Sequence, residues 1–118
     1  MNKNIEELNE EINKFKKTDK LIIVEGKKDS IALKKLGFKN IIELSKKPLF
    51  QIIEDISNKN KECIILTDLD KKGKQLYGEL NSGLCKYGVK VDNKFREFLQ
   101  KNTRLSHIEG LFTYLNKE

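Results

Sequence analysis

The sequence is poor in the residues on which disulfide scaffolds, zinc modules and membrane spans depend. It has two cysteines, one proline and one histidine in 118 residues. Cys63 and Cys85 belong to no Cys-x-x-Cys pair or Cys/His cluster, which excludes a structural zinc site on ligand number. We expect both thiols to be reduced and buried as small apolar side chains. The aliphatic run 21–24 is far shorter than the roughly 20 residues that a membrane-spanning helix needs.

Length and composition are those of one charge-rich globular domain. Apolar residues make up 37% of the chain and charged residues 36%. A chain of this length suits one domain rather than two, so we predict a single domain over 1–118. Residues 1–4, Met-Asn-Lys-Asn, lead into acidic residues rather than an apolar signal segment. We therefore expect a cytoplasmic protein with no membrane association.

Positive charge is in excess, and nearly all of it is lysine. The chain has 24 Lys and Arg against 18 Asp and Glu, a formal charge of +6, and only Arg96 and Arg104 are arginine. Lysine neutralises phosphate as a point charge but lacks the planar fork with which arginine reads guanine. Nucleic-acid binding would therefore depend on backbone and shape rather than on base sequence. A charge of this size is weak evidence for such binding by itself.

Hydrophobic periodicity predicts helices and strands in alternation. The predicted strands cover 21–25, 40–44, 62–67 and 89–91. Four predicted helices cover 4–17, 74–86, 93–101 and 106–116. Two more are predicted between the strands: a short helix capped by Asp29 or Ser30, and a helix that begins at Pro48. This order predicts an α/β fold, a three-layer Rossmann-like sandwich around a short, mainly parallel four-stranded sheet. Within it we distinguish an N-terminal helix (1–19), a core (20–91) and a C-terminal helical tail (92–118).

Acidic residues follow two of the predicted strands. Glu25 ends the first strand, and Asp68 and Asp70 follow the third. Parallel sheets form their sites at the carboxyl ends of the strands, where the strand order reverses. Paired carboxylates suit Mg²⁺, which typically takes one or two of them and keeps several waters. The alternative is that the aspartates are turn or helix-capping residues ahead of Gly73, and that Glu25 is a simple charge at a strand end.

These segments resemble the Toprim domain. The resemblance lies in Val-Glu-Gly-Lys at 24–27 and in Thr-Asp-Leu-Asp-Lys-Lys-Gly at 67–73, and it covers about 20–91. Topoisomerases, bacterial-type primases, the small ribonuclease that matures 5S ribosomal RNA and small stand-alone archaeal-type proteins share this domain. The sequence Arg-Leu-Ser-His-Ile-Glu-Gly-Leu at 104–111 is similar to the tail of the maturase-like and stand-alone members.

The resemblance implies roles for individual residues. Glu25 would be the general acid or base that makes or breaks a phosphodiester, and Asp68 and Asp70 would bind Mg²⁺. Gly26 would permit a tight backbone approach, and Gly73 would open the following helix.

The chain departs from the family pattern in two ways. Some members carry a further acidic residue just after the aspartate pair, where this chain has Lys71 and Lys72, which weakens the case for a second metal. The topoisomerase tyrosine lies in another domain, and Tyr77, Tyr87 and Tyr114 have no motif that supports its role. Length excludes a complete topoisomerase or primase.

Basic side chains flank the predicted carboxylates, and we expect some of them to contact the phosphates of nucleic acid. The candidates are Lys27, Lys28, Lys71, Lys72, Lys74, Arg96 and Arg104. The alternative for each is a solvated surface charge. The segment 86–104 carries a local charge of +4, and if part of it tracks phosphates, affinity should fall steeply with salt.

His107 and Glu109 are weaker candidates for the site. No serine or cysteine nucleophile motif accompanies His107, and such a histidine is more often a helix cap or a polar surface contact. Glu109 lies in the tail segment that is similar to the maturase-like members.

The leading prediction is Mg²⁺-dependent phosphodiester chemistry on nucleic acid, most simply endonucleolytic cleavage, with RNA slightly favoured by the tail. The competing prediction is a non-enzymatic nucleic-acid or ribonucleoprotein binding module that acts with a partner protein or as a homo-oligomer. A haloacid-dehalogenase nucleophile motif fits less well because it wants Thr or Val where Lys72 stands. A response-regulator receiver domain also fits less well, because it would need an acidic pair after the first strand and the sequence shows none there.

The resemblance also makes a geometric prediction. If the first and third strands are neighbours, their backbones lie about 4.8 Å apart, and Glu25 should lie within about 8 Å of at least one aspartate carboxylate. Without a metal, crowding of like charges together with burial should raise the pKa of at least one carboxylate.

Overall fold

A four-stranded parallel sheet forms the centre of the fold in a computed structural model that describes residues 4–116. The strands are β1 (Leu21–Val24), β2 (Ile41–Glu43), β3 (Glu62–Ile65) and β4 (Lys90–Val91). Their order across the sheet is β2-β1-β3-β4, and every adjacent pair is parallel. The predicted α/β fold with four parallel strands is thereby confirmed. Positions 1–3 and 117–118 of the predicted domain lie outside the described residues.

Helices cover both faces of the sheet. Within the described residues they are α1 (Ile5–Phe15), α2 (Lys27–Leu36), α3 (Leu49–Lys59), α4 (Lys71–Lys86), α5 (Lys94–Asn102) and α6 (Leu111–Leu115), and short 3-10 turns occupy Leu44–Lys46 and Ile108–Gly110. The helices α3 and α4 pack on one face, whereas α1, α2, α5 and α6 pack on the other. Within residues 4–116, no helix is long and apolar enough to cross a membrane.

The sheet separates two apolar cores because successive residues of a strand face opposite sides. In β1, Ile22 and Val24 pack against the core on the side of α1, α2 and α5, while Leu21 and Ile23 pack against α3 and α4. All four side chains are buried. Burial on both faces explains why the strand is a continuous apolar run rather than an alternating one.

The start of α2 differs from the prediction. The helix begins at Lys27, with Gly26 as its N-cap residue, rather than after a cap at Asp29 or Ser30. Asp29 lies in the first turn, and its Oδ2 accepts a hydrogen bond from the Gly26 N–H at 3.0 Å. Because the carboxylate reaches back to the cap position, it is buried at the edge of the sheet instead of facing solvent. The helix ends, as predicted, at Gly37, which has φ of 103°.

The tail is less helical than predicted. In place of one helix over 106–116, a 3-10 turn follows a non-helical stretch, and α6 is only one turn long. The backbone of the stretch is engaged elsewhere: the Leu69 N–H donates to the Ser106 carbonyl at 2.8 Å, and the Ile108 N–H donates to Asp68 Oδ1 at 2.9 Å. These bonds to the loop after β3 replace the bonds that a helix would have made.

Both cysteines are free thiols, but they occupy different environments. Cys63 is buried in β3, and burial raises its pKa to about 12. Cys85 is exposed on α4, so the prediction that both would be buried is wrong for this residue. It lies on the outer face of an amphipathic helix, where spacing alone did not distinguish it from the buried Leu84.

Candidate functional site

The strand order reverses between β1 and β3. From β1 the chain passes first to β2 on one side and then to β3 on the other. Sites in parallel sheets form at the carboxyl edge beside such a reversal. Glu25 directly follows β1, and Asp68 lies in the loop that leads from β3 to α4. The two acidic segments predicted from the sequence therefore meet at this point.

Glu25 is joined directly to the loop after β3. Its Oε2 accepts a hydrogen bond from the Asp68 backbone N–H, with an N···O distance of 2.8 Å. The carboxylate of an aspartate lies within about 4 Å of its own amide nitrogen, so the two carboxylates are within about 7 Å of each other. The prediction of a separation below about 8 Å is confirmed.

Each aspartate uses one oxygen to hold the backbone. Asp70 Oδ1 accepts a hydrogen bond from the Gly73 N–H at 2.8 Å, which caps α4, and Asp68 Oδ1 accepts one from the Ile108 N–H at 2.9 Å. Within residues 4–116, the second oxygen of each aspartate accepts no hydrogen bond. The capping alternative is thus correct for Asp70, and it leaves one oxygen of that carboxylate available for a cation.

The two aspartates and His107 form a compact group of ligand atoms. One carboxylate oxygen from each aspartate and one imidazole nitrogen all lie within 4.8 Å of one another. His107 Nε2 is 3.4 Å from Asp70 Oδ2. Carboxylate oxygens are the ligands that Mg²⁺ prefers, and Mg²⁺ sites commonly use only one or two of them. The donor set therefore fits Mg²⁺, with Asp68 and Asp70 as the residues that would hold it.

Asp29 also lies at the site, although the sequence predicted it only as a possible helix cap. It is 6% exposed at the same edge of the sheet. Burial raises its pKa to about 6, the hydrogen bond from Gly26 opposes the rise, and the carboxylates of Asp68, Glu25 and Glu109 add to it. The raised pKa is thus found at Asp29, a carboxylate outside the set for which the sequence predicted it. The sequence signal that could have identified Asp29 is its position four residues after Glu25, in the helix that begins at the site.

Arg96 supports the loop after β3 from within the fold. It is 4% exposed, and its guanidinium donates to the carbonyl oxygens of Thr67 at 2.6 Å and Asp68 at 3.0 Å. The same group lies 4.8 Å from the ring centroid of Tyr77. Burial lowers the pKa of Arg96 from its ordinary value. The guanidinium thus binds backbone carbonyls in this structure, in contrast to the phosphate contact predicted from its charge.

The two glycines expected to shape the site differ. A Cβ at Gly73 would lie 1.9 Å from the Asp68 carbonyl oxygen, so only glycine allows α4 to approach this loop. Gly73 lies in the first turn of α4, which begins at Lys71, rather than opening the helix. At Gly26, a Cβ would meet nothing within 4 Å. Tight approach to another part of the chain is therefore not found at Gly26, and the space in front of it is open.

Most of the predicted basic residues are exposed around the site. Two lie at the start of α2, three in the first turn of α4 and one in the tail after α5; these are Lys27, Lys28, Lys71, Lys72, Lys74 and Arg104. The partial positive charge of a helix N-terminus adds to that of the side chains. Lys90, in the basic segment 86–104, is the strand-register partner of Glu62 at the start of β3. It therefore lies at the opposite edge of the sheet from the site.

The tail brings His107 and Glu109 to the site. The bonds of the Ser106 carbonyl and the Ile108 N–H place the segment against the loop after β3. Glu109 is near enough to Asp29 to contribute to its raised pKa. Both residues were candidates from the sequence, although the helix predicted for them is not present at His107.

Comparison with known proteins agrees with this geometry. Residues 20–98 match the Toprim domain family. The chain is 38% identical over 108 residues to a UPF0292 protein of Methanocaldococcus jannaschii, covering 88% of this chain and 84% of that one. It is 46% identical over 104 residues to a UPF0292 protein of Pyrococcus abyssi, covering 86% and 78%.

A solved structure shows the same fold. It is described as a putative protein from Aquifex aeolicus, with a TM-score of 0.76, 36% identity, and coverage of 91% of this chain and 97% of that chain. Toprim domains in general bind Mg²⁺ for phosphodiester chemistry. The chain belongs to the Toprim domain family and, within it, to the small UPF0292 proteins.

Proposed function

We propose that this protein carries out Mg²⁺-dependent phosphodiester chemistry on nucleic acid, most simply endonucleolytic cleavage, with RNA as the favoured substrate. The observation that supports this most strongly is the 2.8 Å hydrogen bond that joins Glu25 to Asp68 where the strand order reverses. This contact supports a division of roles in which Glu25 would transfer a proton and the neighbouring aspartates would bind a metal.

Asp68 and Asp70 would hold the metal through the oxygens that the backbone does not use. Bound there, Mg²⁺ supplies positive charge that polarises a phosphoryl oxygen and stabilises charge developing on it. The loop that presents the aspartates is fixed from several sides, because Arg96 binds two of its carbonyls and Gly73 packs against Asp68. A rigid loop keeps the ligands in place without a further cost in conformational entropy.

Glu25 is suited to proton transfer. Its Oε2 is anchored to the Asp68 N–H, and within residues 4–116 its Oε1 accepts no hydrogen bond. The anchor fixes the plane of the carboxylate, and the free oxygen can accept a proton from an attacking hydroxyl or donate one to a leaving oxygen. General acid–base catalysis of this kind contributes about 10²- to 10⁴-fold to a rate.

Exposed lysines at the starts of α2 and α4 would hold the phosphodiester against the site. The open space in front of Gly26 allows a phosphate oxygen to come close to the backbone there. Since these contacts read charge and not base identity, sequence preference should be weak and salt dependence strong.

The test is cleavage of a structured RNA, and of a DNA of the same sequence, with Mg²⁺ or with EDTA. We expect Mg²⁺-dependent cleavage that Glu25→Gln slows by about 10²- to 10⁴-fold without changing the affinity for nucleic acid. Glu54→Gln, at an exposed position of α3 on one face of the sheet, is the matched control and should cleave like the wild type.

Two results would contradict the proposal. Equal cleavage by wild type and Glu25→Gln would remove the role of Glu25. Tight binding with no cleavage at any Mg²⁺ concentration would favour the alternative, a nucleic-acid or ribonucleoprotein binding module that acts with a partner protein or as a homo-oligomer.

A further inference from the structure

The imidazole of His107 belongs to the ligand group but has no part in the function proposed above. Its Nε2 lies 3.4 Å from Asp70 Oδ2, and one of its nitrogens is within 4.8 Å of an oxygen of each aspartate. Mg²⁺ is held almost entirely by oxygen, so it gains little from an imidazole. Divalent transition metals accept carboxylate and imidazole together.

We propose that His107 is a third metal ligand, and that the site therefore binds a divalent transition metal such as Mn²⁺ more tightly than Mg²⁺. The proposal rests on the proposed function because it concerns the same site. Carboxylates suit Mn²⁺ as they suit Mg²⁺, and the added nitrogen favours the softer ion. Three protein ligands would leave room on the ion for water and a phosphate oxygen.

Backbone hydrogen bonds on either side of His107 fix its position beside the aspartates. The residue before it accepts a hydrogen bond from the Leu69 N–H at 2.8 Å, and the residue after it donates one to Asp68 Oδ1 at 2.9 Å. Two bonds that flank one residue fix its Cα relative to the loop. Ile108 and Leu111, both 0% exposed, anchor the same segment in the core.

This anchoring distinguishes His107 from an ordinary surface histidine. Its side chain is 59% exposed, so the ring is not packed in the core and can turn toward a metal while the backbone stays in place. A ligand whose backbone is already positioned loses little freedom when the ring turns to a metal. The competing interpretation is that His107 only forms an ion pair with Asp70. In that case it would compete with a cation, and its removal would leave metal binding unchanged or make it tighter.

A direct test uses Mn²⁺ as a paramagnetic probe of its own ligands. The chain contains one histidine, so ¹⁵N-labelled histidine reports on this residue alone. In electron spin-echo modulation spectra of the Mn²⁺ complex, we expect a ¹⁴N coupling that becomes a ¹⁵N coupling on labelling. It should disappear in His107→Ala and persist in Ser106→Ala, the matched control, since Ser106 contacts the site only through its backbone carbonyl. Bound Mn²⁺ with no histidine coupling would overturn the proposal.

Calorimetric titration of Mn²⁺ and of Mg²⁺ gives the second readout. We expect His107→Ala to weaken Mn²⁺ binding by about tenfold or more, since even outer-shell partners of metal ligands are worth about 10- to 100-fold in affinity. Mg²⁺ binding should change less, so the preference for Mn²⁺ falls. An unchanged preference, or tighter Mn²⁺ binding, would overturn the proposal.

The outcomes separate this inference from the proposed function. If the wild type binds Mg²⁺ through Asp68, but His107→Ala leaves the preference for Mn²⁺ unchanged, the inference fails and the proposed metal site remains. If Mn²⁺ binding depends on His107 but no nucleic acid is cleaved with either metal, the inference holds and the proposed cleavage fails. If neither ion binds the wild type, both fail.

Discussion

Replacement of Gly73 by alanine tests whether the approach of α4 to Asp68 holds the site together. A Cβ there would lie 1.9 Å from the Asp68 carbonyl oxygen and 2.4 Å from its carbon, whereas real Cβ atoms essentially never come within 3.0 Å of such neighbours. Because both neighbours are backbone atoms, no side-chain rotation relieves the contact. The helix and the loop would have to separate by about 1.1 Å to bring the oxygen contact from 1.9 Å to 3.0 Å.

Overpacking that moves backbone costs about 1–3 kcal/mol. The separation also weakens the bond from Thr67 Oγ1 to the Gly73 carbonyl, now 2.6 Å, and the cap from the Gly73 N–H to Asp70, now 2.8 Å, each worth about 1 kcal/mol. Alanine regains about 1 kcal/mol through helix propensity. With both bonds lost, the net loss is about 2–4 kcal/mol, and at about 4 °C per kcal/mol for a domain of this size the melting temperature falls by about 8–16 °C.

Gly78 is the matched control, because it lies in the same helix and a Cβ there meets nothing within 4 Å. Gly78→Ala should raise the melting temperature by about 4 °C through helix propensity alone. Differential scanning calorimetry of both variants measures the contrast. A Gly73→Ala protein that melts like the wild type, or equal loss in both variants, would refute the close approach of α4 to Asp68.

Four further substitutions have outcomes that can be measured. Arg96→Met should lower the free energy of unfolding by about 3 kcal/mol, measured by urea unfolding, because two loop carbonyls lose charged donors. Arg104→Met should instead reduce the log–log salt slope of nucleic-acid binding by about 0.7–0.9, measured by fluorescence anisotropy at several salt concentrations. In EDTA, Asp29→Asn should be more stable than the wild type above pH 6, because a pKa raised from 3.8 to about 6 makes the charged form costly in the native state. The advantage should vanish as the pH falls to about 4, and denaturation at several pH values measures it. Gly26→Ala should cost no more than about 1 kcal/mol of stability, as expected for an N-cap substitution, but it should weaken RNA binding, measured by fluorescence anisotropy, if phosphate approaches the backbone there.

The sheet could be predicted from local patterns, and the meeting of Glu25 with Asp68 from one topological rule together with the resemblance to the Toprim domain, which implied that β1 and β3 are neighbours. Continuous apolar runs identify strands that are buried on both faces. The reversal of strand order then places the residues after β1 and β3 at one edge. Neither step needs knowledge of a particular side-chain contact, which is why the acidic segments were located correctly.

Arg96 and His107 could not be placed from the sequence, because their positions depend on partners distant in the chain. Arg96 is buried by its bonds to two carbonyls 28 and 29 residues away, and charge alone predicted a surface residue. The segment at His107 has helical spacing, but bonds to the loop at Leu69 and Asp68 draw its backbone away from a helix. Tertiary hydrogen bonds of this kind override local preference and leave no periodic signal.

The central claim is that Asp68 holds the metal while Glu25 transfers the proton, and the Mg²⁺ dependence of single-turnover cleavage tests it most directly. Glu25→Gln should lower the maximal rate and leave the half-saturating Mg²⁺ concentration unchanged. Asp68→Asn, which retains an oxygen for the Ile108 N–H, should raise that concentration by about tenfold or more. A Glu25→Gln protein that keeps its maximal rate but needs more Mg²⁺, or an Asp68→Asn protein with an unchanged Mg²⁺ requirement, would contradict this division of roles.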